Sequence, residues 1–216
     1  IVQQPSERAT VVLVVDVSGS MRADDVKPTR LAAAQAAMRA FAERIPDQLR
    51  VGVVAFSDDA QVVVPPTRDR DQLLQGIDIL EPGFGTAIGD AIGRAVDLAR
   101  TTTGEAGRAT PAPVRDAQGR ALASVLLLSD GSQTRGVLTP GQGADLAKKA
   151  GIPVFTVALG TDAGTILVGP AGQQQVVPVP PDRETLAAIA EYTDGESFDA
   201  ESAEALEGVY SGIGSR

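Results

Sequence analysis

The chain has 216 residues, a formal net charge of −9 at pH 7, and neither cysteine nor histidine. These absences exclude thiolate nucleophiles, imidazole general bases and ordinary zinc sites, so any bound metal must be held by oxygen atoms. The negative charge argues against nucleic acid, or an anionic membrane surface, as the main partner. With 43% hydrophobic residues, the chain can bury one sizeable core and is predicted to form a single domain.

The chain begins with Ile1 instead of methionine, so we expect it to be a segment of a longer protein. Residues 1–8 are mostly polar and contain a proline, and we predict that they form a leader or linker to a domain at 9–216. No stretch approaches the roughly 18 consecutive apolar residues of a membrane span. We therefore expect this segment itself to be soluble.

The first predicted strand is an apolar, mostly β-branched run at residues 11–15 that ends at Asp16. A run without alternation is typical of a strand that is buried on both faces of a sheet. A helical pattern at about 24–45 and a second buried strand at 50–56 follow. The short connection to a third strand, at 61–64, allows only an antiparallel hairpin, which puts this strand at an edge.

The remainder of the chain alternates helices with strands, apart from a glycine- and proline-rich excursion at about 160–181 that we predict to be hairpin-like. This alternation is the pattern of a doubly wound α/β domain with one antiparallel edge strand. Helices are predicted at 69–80, 86–100, 139–150, 182–192 and 204–213, and strands at 124–129, 153–159 and 196–198.

The most informative stretch is Asp16-Val17-Ser18-Gly19-Ser20, which directly follows the first strand. In an open α/β sheet, ligands bind at this carboxyl edge. One carboxylate and two hydroxyls are hard oxygen donors, which suit Mg²⁺, Mn²⁺ or Ca²⁺. Gly19 allows the backbone to curl so that both serines can face one point. The alternative is that Asp16 and Ser18 only cap the next helix, and the stretch alone leaves both interpretations open.

Two further polar residues occupy informative places. Thr86 stands at the start of a predicted helix, on the glycine-rich loop Gly83-Phe84-Gly85. It either contributes to a site or simply caps the helix. Asp130 follows the apolar strand at 124–129, so we expect it at the carboxyl edge of the sheet as well.

Several enzyme classes lack residues that they require. Gly83-x-Gly85 resembles half of a dinucleotide fingerprint, but the third glycine is one place late, and the Gly-Lys-Ser/Thr of a P-loop is missing. A haloacid-dehalogenase-type phosphatase needs an aspartate where this chain has Ser18. A Ser-His-Asp hydrolase is impossible without histidine. Metal-assisted hydrolysis is therefore the less favoured alternative to a role without catalysis.

Asp16-Val17-Ser18-Gly19-Ser20, Thr86 on its loop and Asp130-Gly131 after an apolar strand together resemble a von Willebrand factor type A (VWA) domain. The three pieces match that family's metal-ion-dependent adhesion site (MIDAS), and the likeness covers nearly the whole chain. It implies a Rossmann-like, mostly parallel sheet of six strands in the order 3-2-1-4-5-6, with strand 3 antiparallel at the edge and helices on both faces. It also implies that Ser18, Ser20 and Thr86 ligate a divalent metal directly, while Asp16 and Asp130 act mostly through water.

The resemblance further implies a divalent-metal-dependent protein–protein interaction module that is not an enzyme. We expect Mg²⁺ as the metal, with Mn²⁺ or Ca²⁺ as alternatives, and a protein partner whose Asp or Glu completes the coordination shell. The alternative function is a structural scaffold domain whose metal only stabilises the fold. Within the family, Asp182-Arg183-Glu184-Thr185-Leu186 and Asp194-Gly195 resemble the bacterial aerotolerance-type (Bat-like) members. Those proteins are membrane-anchored, which implies that the full-length protein lies at the bacterial cell membrane.

Overall fold

A computed structural model describes residues 9–104, 113–115, 119, 121–170 and 172–214. The predicted leader at 1–8 lies outside the described residues, as does part of the long polar connection before the fourth strand. Within the described residues, no helix combines the length and the apolar character needed to cross a membrane.

The fold is built on a central sheet of six strands, accompanied by a separate two-stranded hairpin. The sheet contains β1 (Thr10–Asp16), β2 (Arg50–Phe56), β3 (Ala60–Thr67), β4 (Ala123–Ser129), β5 (Val154–Leu159) and β8 (Ser197–Ala200), and the hairpin contains β6 (Thr165–Val168) and β7 (Gln175–Pro178). The strand order in the sheet is β3-β2-β1-β4-β5-β8, and every neighbouring pair is parallel except β2 with β3. The predicted order is confirmed, because β8 is the sixth strand of the sheet once the hairpin is set aside.

In the part of the chain that the structure describes, six α-helices cover both faces of this sheet: α1 (Arg30–Arg44), α2 (Arg70–Asp78), α3 (Ile88–Thr103), α4 (Pro140–Ala150), α5 (Arg183–Tyr192) and α6 (Ala203–Gly214). Successive side chains of a strand point to opposite faces. In β1, Leu13 and Val15 therefore pack in the core beneath α1, α2 and α6, while Val12 and Val14 pack in the core beneath α3, α4 and α5. Since β1 is buried on both faces, its sequence is a continuous apolar run.

Helix α1 begins later than the helical pattern predicts. Residues 19–22 form a short 3₁₀ turn, and the α-helix starts only at Arg30. The side chain of Thr29 accepts a hydrogen bond from the backbone N–H of Ala32, which caps the helix at that point. Residues 23–29 consequently form a connecting segment near the carboxyl edge of the sheet.

Helices α3 and α4 approach each other so closely that their backbones are in contact. A Cβ atom at Gly89 would lie 2.6 Å from the carbonyl carbon of Thr139, and one at Gly143 would lie 2.6 Å from the carbonyl oxygen of Gly89. Only glycine fits at both places. This contact fixes the amino-terminal end of α3, which follows directly on the loop that carries Thr86.

We expect Gly89→Ala to destabilise the fold by about 1–3 kcal/mol, because the added methyl group must push the two backbones apart. Gly141→Ala is the matched control: it lies in the first turn of α4, where a Cβ would meet no heavy atom within 4 Å. We expect the control to be neutral or slightly stabilising. Denaturant unfolding of both variants measures the difference, and equal stabilities would contradict the described packing.

Candidate metal centre

The predicted site residues lie at the carboxyl edge of two adjacent parallel strands. Asp16 is the last residue of β1, and Asp130 directly follows the last residue of β4. Thr86 lies in the loop that leads into α3. Both carboxylates are completely buried, and Thr86 is only 5% exposed.

A continuous hydrogen-bond network joins four of the five residues. The backbone N–H of Ser18 donates to Asp16 Oδ1 at 2.7 Å, and the hydroxyls of Ser18 and Ser20 lie 2.8 Å apart. Ser20 Oγ in turn donates to Asp130 Oδ1 at 2.7 Å, across 110 residues of sequence. The three predicted serine and aspartate positions at the end of β1 are thus connected to the carboxylate at the end of β4.

Thr86, the fifth residue, faces the same space. Its backbone N–H donates to the side chain of Thr134, and its carbonyl accepts from the backbone N–H groups of Thr134 and Arg135. In the described part of the chain, its hydroxyl makes no hydrogen bond, in contrast to those of Ser18 and Ser20. A Cβ built on Gly131 would lie 3.8 Å from Ser20 Oγ and 3.9 Å from Thr86 Oγ1. Both hydroxyls therefore border the same small space above Gly131.

The capping alternative is wrong for Ser18 and for Thr86. Ser18 precedes the 3₁₀ turn but its side chain makes no capping hydrogen bond, and Thr29 caps the helix that follows. The residue at the N-cap of α3 is Ala87, which has no polar side chain, and it is the side chain of Gln133 that accepts from the backbone N–H of Gly89 at this helix end. The hydroxyls of Ser18 and Thr86 therefore do not cap the amino-terminal end of a helix.

Burial strongly changes the pKa of the Asp16 carboxyl. Burial, together with the negative charge of Asp130, raises the pKa of Asp16 to about 7, against the opposing hydrogen bonds from Ser129 and Ser18. Within the described ranges, no lysine or arginine forms an ion pair with Asp16, and its second oxygen accepts only from Ser129 Oγ, at 2.6 Å. Burial also raises the pKa of Asp130, although the guanidinium of Arg30 opposes that rise.

Sequence reasoning missed three residues that support this site. Arg30 Nη1 donates to Asp130 Oδ2 at 2.7 Å, Asp25 holds the other side of the same guanidinium, and Ser129 binds Asp16. Arg30 is the first residue of a helix in an alanine-rich stretch, so periodicity gives no sign that it is buried. Ser129 ends the predicted strand directly before Asp130, and its place at the carboxyl edge is the one signal that could have revealed it.

The arrangement fits a hard divalent cation. Two buried carboxylates in one place repel each other, and a divalent ion compensates both charges. Asp16, Ser18, Ser20, Thr86 and Asp130 offer only oxygen atoms, the donors that Mg²⁺, Mn²⁺ and Ca²⁺ prefer. Among the residues that the structure describes, no group of three or more acidic side chains could hold a metal ion, so this candidate centre depends on its hydroxyls as well as on its two carboxylates.

Comparison with known proteins identifies the family of the domain. A family profile described as the von Willebrand factor type A domain matches residues 11–133. A UPF0353 protein of Mycolicibacterium paratuberculosis is 37% identical over 219 residues, which cover 97% of this chain and 61% of that protein. The chain therefore spans less than two thirds of the length of this relative.

Three solved structures share the fold. BatB from Bacteroides thetaiotaomicron has a TM-score of 0.72 at 22% identity, with 95% of this chain and 97% of that one covered. An aerotolerance-related membrane protein from Bacteroides fragilis has a TM-score of 0.70 at 21% identity, covering 94% and 97%. Proximal thread matrix protein 1 from the mussel byssus, with a zinc-occupied MIDAS motif, has a TM-score of 0.64 at 19% identity, covering 96% and 45%. At these identities, the likeness concerns the fold alone.

The fold and the arrangement of its carboxyl edge thus define an α/β domain of the VWA type. Because the family profile covers more than half of the chain, the protein belongs to the von Willebrand factor type A domain family.

The raised pKa of Asp16 makes the stability of the metal-free protein depend on pH. The carboxyl has its ordinary pKa of 3.8 in the unfolded chain and a pKa of about 7 in the folded chain. Between these two pH values, the folded state therefore holds a proton that the unfolded state has lost. We expect the free energy of unfolding, measured in EDTA, to fall as the pH rises from about 4 to about 7, by at most about 1.4 kcal/mol per pH unit from this group.

Asp16→Asn is the control for this pH dependence, because an amide does not titrate. Denaturant unfolding of the variant should show a shallower fall over the same pH range. An identical fall in both proteins would contradict the assignment to Asp16.

Proposed function

We propose that this domain is a divalent-metal-dependent protein-interaction module, in which a carboxylate of the partner completes the coordination shell of the metal. The observation that carries the proposal is the meeting of two buried carboxylates and three hydroxyls at one edge of the sheet. In this proposal Ser18, Ser20 and Thr86 hold the ion directly, and Asp16 and Asp130 hold it mostly through water. When bound, the ion would supply a positive charge that attracts an anionic ligand.

We favour Mg²⁺ as the metal, with Mn²⁺ or Ca²⁺ as alternatives. Neutral hydroxyls leave most of the charge of the ion uncompensated, and Mg²⁺ usually retains water molecules that an outside ligand can replace. The zinc in the MIDAS motif of the mussel protein is a reason to include Zn²⁺ in the same assays, since an oxygen site does not need cysteine or histidine to hold it.

Side chains around the site would give the partner its selectivity. Phe84, in the loop that carries Thr86, is 71% exposed, and the guanidinium of Arg22 lies 5.7 Å from the centre of its ring. An exposed aromatic ring beside an exposed cation is suited to contact apolar and acidic groups of a protein. We propose that these two side chains flank the partner's carboxylate.

The role of the domain is binding and not catalysis in this proposal, and the full-length protein would lie at the bacterial cell membrane. The membrane location rests on the resemblance to Bat-like proteins and on the fold shared with the aerotolerance-related membrane protein. This domain would project from that membrane and present the carboxyl edge of its sheet, with the candidate metal centre, to a protein partner.

A scaffold role is the second candidate, and one observation favours it. Asp130 forms a fully buried ion pair with Arg30, so the same carboxylate that would bind metal also holds the fold together. Removing one partner of a buried pair typically costs about 3–5 kcal/mol. Asp130→Ala would therefore disturb folding under either hypothesis, and a variant that removes only a hydroxyl separates the two roles better.

A divalent metal should raise the melting temperature of the domain. At ten times its dissociation constant, the ion stabilises the folded state by about 1.4 kcal/mol, which corresponds to about 3–5 °C for a domain of this size. Thr86→Val should reduce or abolish this shift while the metal-free protein stays folded, because the hydroxyl of Thr86 has no described hydrogen bond to lose.

The matched control is Thr101→Val, which removes a hydroxyl that donates to the carbonyl of Asp97 near the far end of α3. Thermal melts with Mg²⁺, Mn²⁺, Ca²⁺, Zn²⁺ and EDTA compare both variants with the wild type. A metal shift that survives in Thr86→Val would remove Thr86 from the site, and no shift with any ion would contradict the metal site altogether.

Peptides provide the test of partner recognition. We expect peptides selected from a displayed library around a fixed central Asp to bind in Mg²⁺, to dissociate in EDTA, and to lose at least about tenfold in affinity when that Asp becomes Asn. Fluorescence polarisation measures each pair. Stable, metal-responsive protein that treats the Asp and Asn peptides alike would favour the scaffold role.

Salt should strengthen the binding of a strongly acidic peptide to this domain. The domain carries a net charge of −9, and salt screens charges to within about 8 Å at physiological ionic strength. A selected peptide extended with several glutamates should therefore bind more tightly as salt rises to a moderate level. A steady loss of affinity for this extended peptide would contradict the prediction.

A further inference from the structure

The side chain of Arg30 is completely buried, which is unusual for a residue of its charge. A buried cation needs both charge partners and hydrogen bonds, since the loss of hydration is otherwise not recovered. Arg30 is the first residue of α1, and this position brings its guanidinium to the carboxyl edge of the sheet beside Asp130.

Two carboxylates share this guanidinium. Nη1 donates to Asp130 Oδ2 at 2.7 Å, while Nε and Nη2 donate to the two oxygens of Asp25 at 2.9 and 2.7 Å. The contact with Asp25 is the bidentate geometry in which arginine binds a carboxylate most specifically. All three nitrogen atoms of the group are therefore used, and its plane is fixed.

The two oxygens of Asp130 are divided between different partners. Oδ2 accepts from Arg30, and Oδ1 accepts from Ser20 Oγ at 2.7 Å, within the network that contains Ser18 and Asp16. Since Arg30 holds one oxygen, the carboxylate cannot rotate about its bond to Cβ without breaking an ion pair. The other oxygen consequently stays directed at the candidate metal centre.

Asp25 extends the connection to the base of the β6–β7 hairpin. Its Oδ2 atom also accepts from the backbone N–H and the hydroxyl of Thr161, at 2.8 and 3.0 Å. The carbonyl of Thr161 accepts from the N–H of Gly164, whose own carbonyl accepts from the N–H of Val179 on the far side of the hairpin. A chain of hydrogen bonds thus runs from Asp130 through Arg30 to the hairpin base.

The backbone at this base closes over the guanidinium. A Cβ at Gly160 would lie 2.5 Å from Arg30 Nη2, and one at Gly164 would lie 2.6 Å from Asp25 Oδ2. Neither position has room for a side chain. Arg30 is therefore enclosed by the hairpin base, and neither its side chain nor that of Asp130 is exposed to solvent.

We propose that Arg30 is a positioning residue for the metal centre: it orients Asp130 toward the ion and, through Asp25, couples the occupied centre to the base of the β6–β7 hairpin. This inference rests on the proposed metal-binding function. It adds a residue outside the Asp-x-Ser-x-Ser, Thr and Asp pattern, and it assigns the hairpin base a part in the response to metal.

A positioning role and a role of charge alone predict opposite results. Arg30 carries one positive charge among the three carboxylates of Asp16, Asp25 and Asp130, so removing it should strengthen metal binding if only charge mattered. If Arg30 positions Asp130, its removal weakens binding. Outer residues that orient metal ligands typically contribute about 10–100-fold to metal affinity.

The experiment measures Mn²⁺ affinity by calorimetric titration for the wild type, Arg30→Lys, Arg30→Gln and the control Arg39→Lys. Arg39 lies on the same helix in an exposed ion pair with Asp78. We expect both Arg30 variants to bind Mn²⁺ about 10–100-fold more weakly and the control to bind as the wild type does. Wild-type or tighter affinity in a folded Arg30 variant overturns the inference and leaves the metal site itself intact.

A second measurement needs no variant at Arg30 and holds if those variants fail to fold. In the wild type, addition of Mg²⁺ should slow amide hydrogen exchange at Thr161 and Gly164, measured by NMR, and Thr161→Val should reduce this effect while metal binding persists. Slowed exchange around Gly131 with no change at Thr161 overturns the coupling. A wild-type chain that binds no divalent ion overturns the proposed function together with this inference.

Discussion

The structure depends on how the negative charge of two buried aspartates is accommodated at one edge of the sheet. Asp16 and Asp130 are both fully buried, and of the two only Asp130 contacts a cation among the described residues. Hydrogen bonds from Ser18, Ser20 and Ser129 satisfy carboxylate oxygens, but hydroxyl and amide groups do not cancel a full charge. The raised pKa of Asp16 reflects this deficit, and the proposed affinity for a divalent ion follows from it.

The parallel arrangement of the strands brings the two aspartates together at this edge of the sheet. Because β1 and β4 are adjacent and parallel, the residues that follow them meet even though the sequence separates them by more than 100 positions. The close contact of α3 with α4 then holds the loop that brings Thr86 to the same place. Each segment contributes a short oxygen-bearing side chain, and none of them has to span a long distance to reach the centre.

The buried guanidinium of Arg30 links folding to the site. It satisfies one oxygen of Asp130 and fills the space beneath the hairpin base, so the centre is partly a structural element even before any ion binds. For this reason the loss of a carboxylate and the loss of a hydroxyl have different meanings here. The carboxylate of Asp130 supports the fold, whereas the hydroxyl of Thr86 has no described partner in the protein.

The sequence by itself determined the α/β architecture, because long apolar strands alternate with helical patterns, and β2 was predicted at residues 50–56 with the bounds that the structure gives. It also placed Asp16 and Asp130 at the carboxyl ends of their strands, since each directly follows an apolar run or ends one. The sequence also contains the local signal for the start of α1, since Thr29 follows Pro28 and caps the helix through Ala32, although the helical pattern predicted an earlier start. Tertiary structure alone decided that Arg30 is buried, because the carboxylates that make its burial possible come from the connecting segment before α1 and from the residue that follows β4, 100 positions away.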